Sequence, residues 1–319
     1  MSRYGLPYDP LPPLLPSSDM AVRLRAAREL DGQNVDLAAL RDLPAVRKRV
    51  ARQQKDGSWR YPGRRADGAT NYEYLETYRA LGELVELYAL DDAHPAVSRA
   101  AEYLFTLQTD EGDFRGIYGK EYSPNYTAGV LELMIHAGLG HDERVERGLR
   151  WLLSCRQTDG GWAAPLRTRG WKFRDPLPGG SEPVRPDTTK PSSHMITGMV
   201  LRAFAASDLY RRREETLKAA AFLASRLLLP DRYPDRKGVE HWTKFSFPFW
   251  FTDLVSALDS LSLIGIPADN PSVAKAMEWF RSRQRSDGTW RLQYLKGAGI
   301  SIDEWVHFAL CRALRRYSD

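Results

Sequence analysis

A short motif that recurs four times constrains the fold of this chain more than any other feature. Each copy begins with glutamine and ends five or six residues later with a large aromatic residue, with glycine between them; the copies span 53–59, 108–114, 157–162 and 284–290. Repetition at intervals of tens of residues is typical of architectures that stack one supersecondary unit. The motif therefore predicts an architecture and says little about chemistry.

Two kinds of helical segment alternate around these motifs. Before Gln108, Val97, Ala100 and Leu104 have the spacing of one helical face, so the segment that ends at the motif is an amphipathic helix. Between the motifs, apolar residues surround most of the helix circumference, which predicts buried helices; these segments are 71–90, 125–139, 192–206, 249–264 and 303–314.

Pairing each buried helix with the amphipathic helix that follows it gives helical hairpins. Gln53, Gln108 and Gln157 lie 55 and 49 residues apart, while the step to Gln284 holds a long loop, 163–191, and a repeat near 226–242 whose motif is unrecognisable. Glycine supplies the positive-φ turn that ends an outer helix, and the aromatic residue can wedge between hairpins. The sequence predicts an all-α toroid of five to six hairpins with a central cavity.

Composition limits the kinds of site and the cellular location that are expected for this toroid. Cys155 and Cys311 are the two cysteines, which excludes a disulfide scaffold or a four-cysteine metal site. The chain has no run of eighteen apolar residues, and its net charge is only +5. We expect a cytoplasmic protein with a proline-rich arm at 1–16 and a single toroid domain at 17–319, and no nucleic-acid partner.

The four motifs resemble the repeats of the squalene–hopene cyclases, the oxidosqualene cyclases and the β subunits of protein prenyltransferases. The resemblance covers residues 50–315 and implies an (α/α)6 barrel whose inner helices line an aromatic-rich cavity for an isoprenoid. Aromatic residues near the starts of the predicted inner helices would then contact the substrate: Tyr72, Tyr126, Phe249, Trp250 and Trp305. The alternative is that about half of such aromatic residues only pack the core.

The acid motif of the cyclases, Asp-x-Asp-Asp, is absent at the matching stretch 122–130. Asn125 and Tyr126 stand where carboxylates belong, so this stretch cannot protonate an alkene. Residues 186–189 are similar to an Asp-x-Asp-Thr-Thr variant of that motif, with Arg185 in the first position. The resemblance makes Asp187 a candidate proton donor, and a loop or N-cap role is the alternative.

The zinc site of the prenyltransferase β subunits, an Asp-x-Cys pair and a histidine, is also incomplete. Asp253 and His307 match, but Val255 replaces the cysteine. We therefore predict no metal site, and we expect a helical partner subunit only if the chain is a prenyltransferase-like subunit.

Ionisable residues in the first turns of the predicted inner helices form a candidate acid–base group. They are Asp253, Asp303, Glu304, His307 and His194, and the first turns of inner helices converge at one mouth of a toroid. A carboxylate beside an imidazole in an apolar cup would have a shifted pKa suited to proton transfer. Alternatively, Asp303 caps its helix and the others make internal hydrogen bonds.

The long loop is rich in basic and aromatic residues. Arginine suits bidentate contact with phosphate, so the loop could close over a diphosphate or another anionic head group; its residues are Arg167, Arg169, Trp171, Lys172, Phe173, Arg174, Arg185 and Lys190. Magnesium is expected only if the substrate is a diphosphate, and otherwise we predict no cofactor. Contact with an anionic membrane surface is an alternative role, as is an exposed loop balanced by nearby acidic residues.

These observations favour a cyclase-like enzyme that acts on a small isoprenoid, or another apolar molecule, by proton-initiated cyclisation or isomerisation. Asp253 or Asp187 would be the acid, with His307 and His194 as polar partners. Three alternatives stay open: a non-catalytic toroid that binds isoprenoid or lipid, a prenyltransferase-like subunit without zinc, and an (α/α)6 carbohydrate-active enzyme.

Overall fold

Six inner helical segments form a ring in the computed structural model, which describes residues 2–63, 70–172, 175–177, 179, 182–233, 238–295 and 301–318. The inner segments are α1 (Met20–Arg25, continued by a π-helical turn at Ala26–Leu30), α3 (Tyr72–Gly82, continued at Glu83–Leu87), α5 (Pro124–Met134, continued at Ile135–Leu139), α8 (His194–Ala206), α10 (Leu254–Ile264) and α12 (Ile302–Arg316). From α3 onward each packs on the next, and α12 returns to α1. Arg25 then joins α1 to the turn after α3 by donating to the carbonyl of Glu86.

Outer helices follow the inner ones along the chain. They are α2 (Pro44–Val50), α4 (Pro95–Phe105), α6 (Glu143–Ser154), α9 (Glu214–Arg226) and α11 (Pro271–Arg281). The remaining elements are short: α7 (Pro165–Thr168), 3-10 turns at Leu37–Asp42 and Val239–Thr243, and a parallel pair of strands, β1 (Lys244–Phe245) and β2 (Gln293–Tyr294). The predicted all-α toroid of helical hairpins is confirmed.

The recurring motifs are the joints between successive hairpins. The Gln53 side-chain amide donates both to the carbonyl of Gly57 in its own turn and to that of Ala96 in the next outer helix. The Trp59 indole donates back to the carbonyl of Arg49 at 2.8 Å, and its backbone N–H lies 2.9 Å from the hydroxyl of Thr77 on the inner helix. One motif therefore ties together two outer helices and one inner helix.

The indole bond recurs in the other two copies that end in tryptophan. Trp162 donates to the carbonyl of Leu152, and Trp290 to that of Phe280, each ten residues back along the chain. The unrecognisable repeat is completed by Trp242, whose indole donates to the carbonyl of Leu229. The motif cannot be recognised in the sequence of this copy, because the copy keeps the aromatic residue but lacks the glutamine with which the other copies begin.

The N-terminal arm closes the ring. Gln284 of the last motif accepts from the backbone N–H of Tyr8 and donates to its carbonyl, at 3.0 and 2.9 Å. Leu6, Leu11 and Leu14 of the arm are buried in the core. The arm predicted at 1–16 thus packs, over its described residues, where a further outer helix would otherwise be needed.

Replacing Trp162 with alanine should destabilise the protein by about 4 kcal/mol, because the ring is fully buried and carries a hydrogen bond. Trp162→Phe keeps most of the apolar contact and should lose about 1 kcal/mol. Urea unfolding measures both variants. The control is Tyr118→Ala, which removes an exposed ring and should change stability by less than about 0.5 kcal/mol. If Trp162→Ala and Tyr118→Ala lose the same stability, the Trp162 motif does not join the hairpins as described.

Candidate functional site

An aromatic layer, formed by Tyr74, Tyr78, Tyr126 and Trp250, lies within the ring of inner helices. The ring of Trp250 is 5.4 Å from that of Tyr126 on α5 and 5.2 Å from that of Tyr78 on α3, between centroids, and Tyr126 is 5.8 Å from Tyr74. Trp250 comes from the segment before α10, which is opposite α3 in the ring of six. Its side chain therefore reaches across the centre of the toroid.

A glycine makes room for this crossing. A Cβ at Gly129 on α5 would lie 3.2 Å from the ring of Trp250 and 3.2 Å from the hydroxyl of Tyr78. The backbone carbonyl of Trp250 is held in turn by Arg202 on α8, whose Nη2 donates to it at 3.1 Å. The position of Trp250 thus depends on three inner helices besides its own segment.

A charged layer lies closer to the C-terminal ends of the inner helices. Its members come from five of the six inner segments and are Glu86, Glu132, His136, Arg202, Asp259 and Arg312. Arg202 Nε contacts both oxygens of Glu132, at 3.1 and 3.0 Å, and Arg312 contacts both oxygens of Asp259, at 3.2 and 3.3 Å. His136 Nδ1 is 2.5 Å from Glu86 Oε1.

The pKa values in this layer follow from burial opposed by the partner charge. For Glu132 burial prevails over the Arg202 charge, so the pKa is raised. For Glu86 burial also acts upward, but His136, Arg312 and Arg25 together hold the pKa at about 2. Burial acts downward on His136, and the Glu86 charge and hydrogen bond outweigh it, so the pKa of His136 is raised. Glu86 therefore favours the protonated form of His136, with which it forms an ion pair.

No residue of the charged layer was among the sequence candidates. A signal was available, because Glu132, Arg202 and Asp259 are each a lone charge within an otherwise apolar helix, and such a charge needs a partner. The same argument applies to Asp253, which lies in the apolar run 247–258. Which charges pair with one another could not be read from the sequence, since the partners lie 50 or more residues apart.

The Glu86 and His136 pair predicts a pH dependence of stability. A raised His136 pKa stabilises the fold below pH 6.5, and this contribution is lost as pH rises through the folded pKa. The lowered Glu86 pKa stabilises the fold above about pH 4.5, and this contribution is lost as pH falls towards about 2. Because His136 is partly accessible to water, we expect Glu86→Gln to cost only about 1 kcal/mol more at pH 6 than at pH 9. Urea unfolding at both values measures this difference, and a loss independent of pH would contradict the pairing.

Asp253 is the N-cap of α10 and is buried. Its carboxyl accepts from the backbone N–H of Ser256 at 2.8 Å and of Ser246 at 3.4 Å, while its own backbone N–H donates to the Ser256 hydroxyl. Burial raises the pKa of Asp253 to about 6, and the bonds from Ser256 and Ser246 and the charge of Arg202 oppose that rise. A carboxyl that holds its proton up to about pH 6 lies three residues from Trp250.

His194 and His307 have different neighbours from Asp253. His194 stacks on Trp242 with centroids 4.5 Å apart, and its Nε2 is 3.8 Å from Asp231. His307 meets Trp290 edge to face at 5.1 Å. Burial lowers the pKa of each histidine to about 4. Across the described residues, no hydrogen bond, ion pair or ring contact joins Asp253, His194 and His307 into one pocket.

Asp303 and Asp187 are more exposed. Asp303, in the first turn of α12, lies beside His307 in a cleft near the N-terminal arm. Asp187 accepts from the backbone N–H and hydroxyl of Thr189, and these bonds lower its pKa. Asp187 therefore stabilises a turn and is ionised at neutral pH, which does not favour a role as proton donor.

The remaining aromatic candidates lie around the aromatic layer. Tyr72 stacks on Tyr61 with centroids 4.7 Å apart. Phe249 and Trp305 both pack against Phe247, at 5.1 and 5.6 Å, and Trp305 is buried. Together with Tyr126 and Trp250, these residues contribute apolar surface near the N-terminal ends of the inner helices.

The basic loop is only partly described. Arg169, Lys172 and Lys190 are exposed and Trp171 is half-buried, whereas Arg174 lies outside the described residues. The backbone carbonyl of Lys190 accepts from Gln157, which anchors the end of the loop to the third motif. Exposed basic side chains are available here, and their role in binding a head group stays a prediction.

Within the described ranges, no three His, Cys, Asp or Glu side chains converge as a metal ion would require. Over the same residues, no helix is long and apolar enough to cross a bilayer.

Residues 135–294 match the family profile of the squalene-hopene cyclase C-terminal domain. The squalene–hopene cyclase of Bradyrhizobium diazoefficiens is 25% identical over 158 residues, which are 49% of this chain and 22% of that protein. That of Zymomonas mobilis subsp. mobilis is 21% identical over 283 residues, which are 88% of this chain and 35% of that protein. The chain thus spans about a third or less of the length of these relatives.

Solved structures give a weaker likeness. A type II terpene cyclase from Scytonema in complex with geranylgeranyl dihydroxybenzoate is 14% identical, with a TM-score of 0.36, covering 88% of this chain and 97% of its own. A polysaccharide lyase is 14% identical, with a TM-score of 0.41, covering 88% and 86%. TM-scores in this range do not establish a common function.

Proposed function

The chain belongs to the squalene-hopene cyclase C-terminal domain family, and we propose that it is a cyclase-like enzyme that protonates an isoprenoid beside the aromatic layer, with Asp253 as the proton donor. The observation that carries this proposal is the state of Asp253, a buried carboxyl whose pKa is raised to about 6 and which lies next to the Phe249 and Trp250 segment.

The surroundings of Asp253 stabilise both its protonated form and the carboxylate that remains after proton transfer. Burial raises the pKa of Asp253 to about 6, so the carboxyl carries the proton that an acid catalyst requires up to about that pH. In the step, the O–H bond of Asp253 breaks, the proton adds to one alkene carbon, and the other carbon becomes a cation. The carboxylate that remains is stabilised by the Ser256 and Ser246 N–H groups and by its place at the N-terminus of α10. The cycle closes when the final cation loses a proton and Asp253 is protonated again.

The aromatic layer would stabilise the intermediate cation. The rings of Trp250, Tyr126 and Tyr78 present electron-rich faces, and a cation over such a face gains about 1–2 kcal/mol when water is excluded. Trp250 crosses the centre of the toroid, so its ring would move aside as the substrate enters.

The charged layer sets the length of substrate that fits. Arg202, which pairs with Glu132, also donates to the backbone carbonyl of Trp250, so the charged layer adjoins the Trp250 segment. An apolar chain gains nothing by contact with buried charges. The substrate would therefore be a short isoprenoid, with any anionic head directed to Arg169, Lys172 and Lys190 of the loop.

Incubation of the purified protein with geranyl, farnesyl and geranylgeranyl diphosphate and with squalene, with and without magnesium, tests the proposal by mass spectrometry of extracted products. New cyclic or isomerised products that Asp253→Asn fails to form would support it. No product from any of them would reject proton-initiated catalysis on these substrates, and saturable binding without turnover would favour the non-catalytic toroid.

A further inference from the structure

The segment that crosses the centre of the toroid lies against one face of α8. We call residues 247–253 the crossing segment; it carries Trp250 and leads into α10. The Thr252 hydroxyl donates to the carbonyl of Met195 on α8 at 2.6 Å. A Cβ at Gly198, three residues further along α8, would collide with the Thr252 side chain, so glycine is needed for this close approach. The face of α8 therefore holds the crossing segment in direct contact.

Arg202, on the same face of α8 and one turn beyond Gly198, contacts two elements at once. Its Nε contacts both carboxyl oxygens of Glu132 on α5, at 3.1 and 3.0 Å, and its Nη2 donates to the carbonyl of Trp250 at 3.1 Å. The side chain is buried, and its guanidinium carbon is 5.9 Å from the ring centroid of Phe249. The donors of a guanidinium lie in one rigid plane. When Glu132 holds one edge of Arg202, it therefore also orients the donor that faces Trp250.

Arg202 also acts on Asp253, at the end of the crossing segment. Its positive charge opposes the rise that burial causes in the pKa of Asp253. Asp253 itself is fixed by α10, where its carboxyl accepts from the backbone N–H of Ser256 at 2.8 Å. The crossing segment is thus held at Trp250 by Arg202 and at Asp253 by α10. Loss of the bond from Arg202 would free the half of the segment that carries the Trp250 ring.

We propose that Arg202 is a positioning residue of the proposed reaction: anchored by Glu132, it sets the position of the Trp250 ring relative to the crossing segment's end, and so places the ring where the cation forms. The inference rests on the proposed proton transfer from Asp253. Arg202 is not itself a proton donor, because a guanidinium keeps its charge in proteins. Lysine could not replace it, since one compact ammonium lacks the planar fork that reaches both partners.

Arg202→Lys tests the proposal, because it keeps a positive charge opposite Glu132 and removes the planar fork. On the isoprenoid that the wild type converts, we expect kcat to fall about tenfold while KM changes less than about threefold. The indole N–H resonance of Trp250 should shift in the folded variant. Arg312→Lys is the matched control, because Arg312 contacts both oxygens of Asp259, at 3.2 and 3.3 Å, and makes no hydrogen bond to the crossing segment within the described part of the chain. It should leave the Trp250 resonance unchanged.

A second variant serves if Arg202→Lys does not fold. Arg202→Gln with Glu132→Gln leaves no buried charge without a partner and also removes the fork, so it should show the same loss of kcat and the same shift. A role in folding alone would lower stability and leave the kcat of the folded protein unchanged. The proposal is overturned if either folded variant keeps the wild-type kcat, or if Arg202→Lys and Arg312→Lys shift the Trp250 resonance equally. These outcomes leave the proton transfer from Asp253 intact, whereas a wild type that converts no substrate rejects the proposed function and the role of Arg202 in it.

Discussion

Asp253→Asn should lower turnover by at least about 10³-fold while the toroid stays folded. Asparagine is isosteric with the protonated aspartic acid that this site favours, and its carbonyl oxygen can still accept from Ser256 N–H as the cap of α10. It has no carboxylic proton to give. Product formation by the wild type and by this variant, under conditions in which both are folded, measures the effect.

The same carboxyl predicts two pH profiles. Turnover should fall as pH rises through about 6, because the protonated donor is depleted. The folded pKa also lies above the unfolded value of 3.8, so the folded state binds more protons between the two values. The contribution of Asp253 to the free energy of unfolding is fully present below pH 3.8 and is lost as pH rises through about 6. Asp253→Asn should not show this pH dependence of stability.

These readouts separate catalysis from folding. Asp253→Ala removes the cap as well as the acid and should cost about 1–2 kcal/mol of stability, whereas Asp253→Asn should keep the cap. If Asp253→Asn turns over substrate like the wild type, Asp253 is not the donor, whatever its pKa.

Arg202→Met should destabilise the protein by about 3–5 kcal/mol, because it leaves Glu132 buried opposite an uncharged side chain. The double variant Arg202→Met with Glu132→Met should recover most of that loss, since no buried charge is left without a partner. Urea unfolding of both single variants and the double variant measures the coupling. The raised Glu132 pKa implies that Arg202→Met loses less at pH 5 than at pH 8, where Glu132 must ionise.

An exposed ion pair gives the matched control. Lys218 and Glu214 form a helical pair with both side chains more than 60% exposed, so Lys218→Met should change stability by less than about 0.5 kcal/mol. If Arg202→Met costs no more than Lys218→Met, or if the double variant is as unstable as Arg202→Met, the charged layer does not act as a buried network.

Local patterns predicted the architecture well. The glutamine-to-aromatic motif is a short run of residues, and part of its bonding lies within its own turn and to the helix just before it, as for Trp162 and Leu152, so the motif can be recognised in the sequence. Trp242 escaped detection because its copy lacks glutamine. The burial of Asp253 could also be expected from the sequence, because this aspartate lies within the apolar run 247–258.

The candidate site was less predictable. The first turns of inner helices do gather at one end of the toroid, yet a shared end does not fix the direction of each side chain. His194 stacks on Trp242 and His307 packs against Trp290, and among the described residues neither makes a hydrogen bond or ring contact with Asp253. The helical period places a residue on a face, and the neighbouring elements decide what that face contacts.

The sequence by itself determined the repeated hairpin, its joints and the apolar character of the inner helices, because each depends on residues close together in the chain. Only the tertiary structure decided that Trp250 crosses the centre, that Glu132 pairs with Arg202, and that His307 packs against Trp290 beside the N-terminal arm. These contacts join residues that are far apart in the chain and meet only when the inner helices pack together. No local pattern specifies such partners, because the packing of the helices selects them.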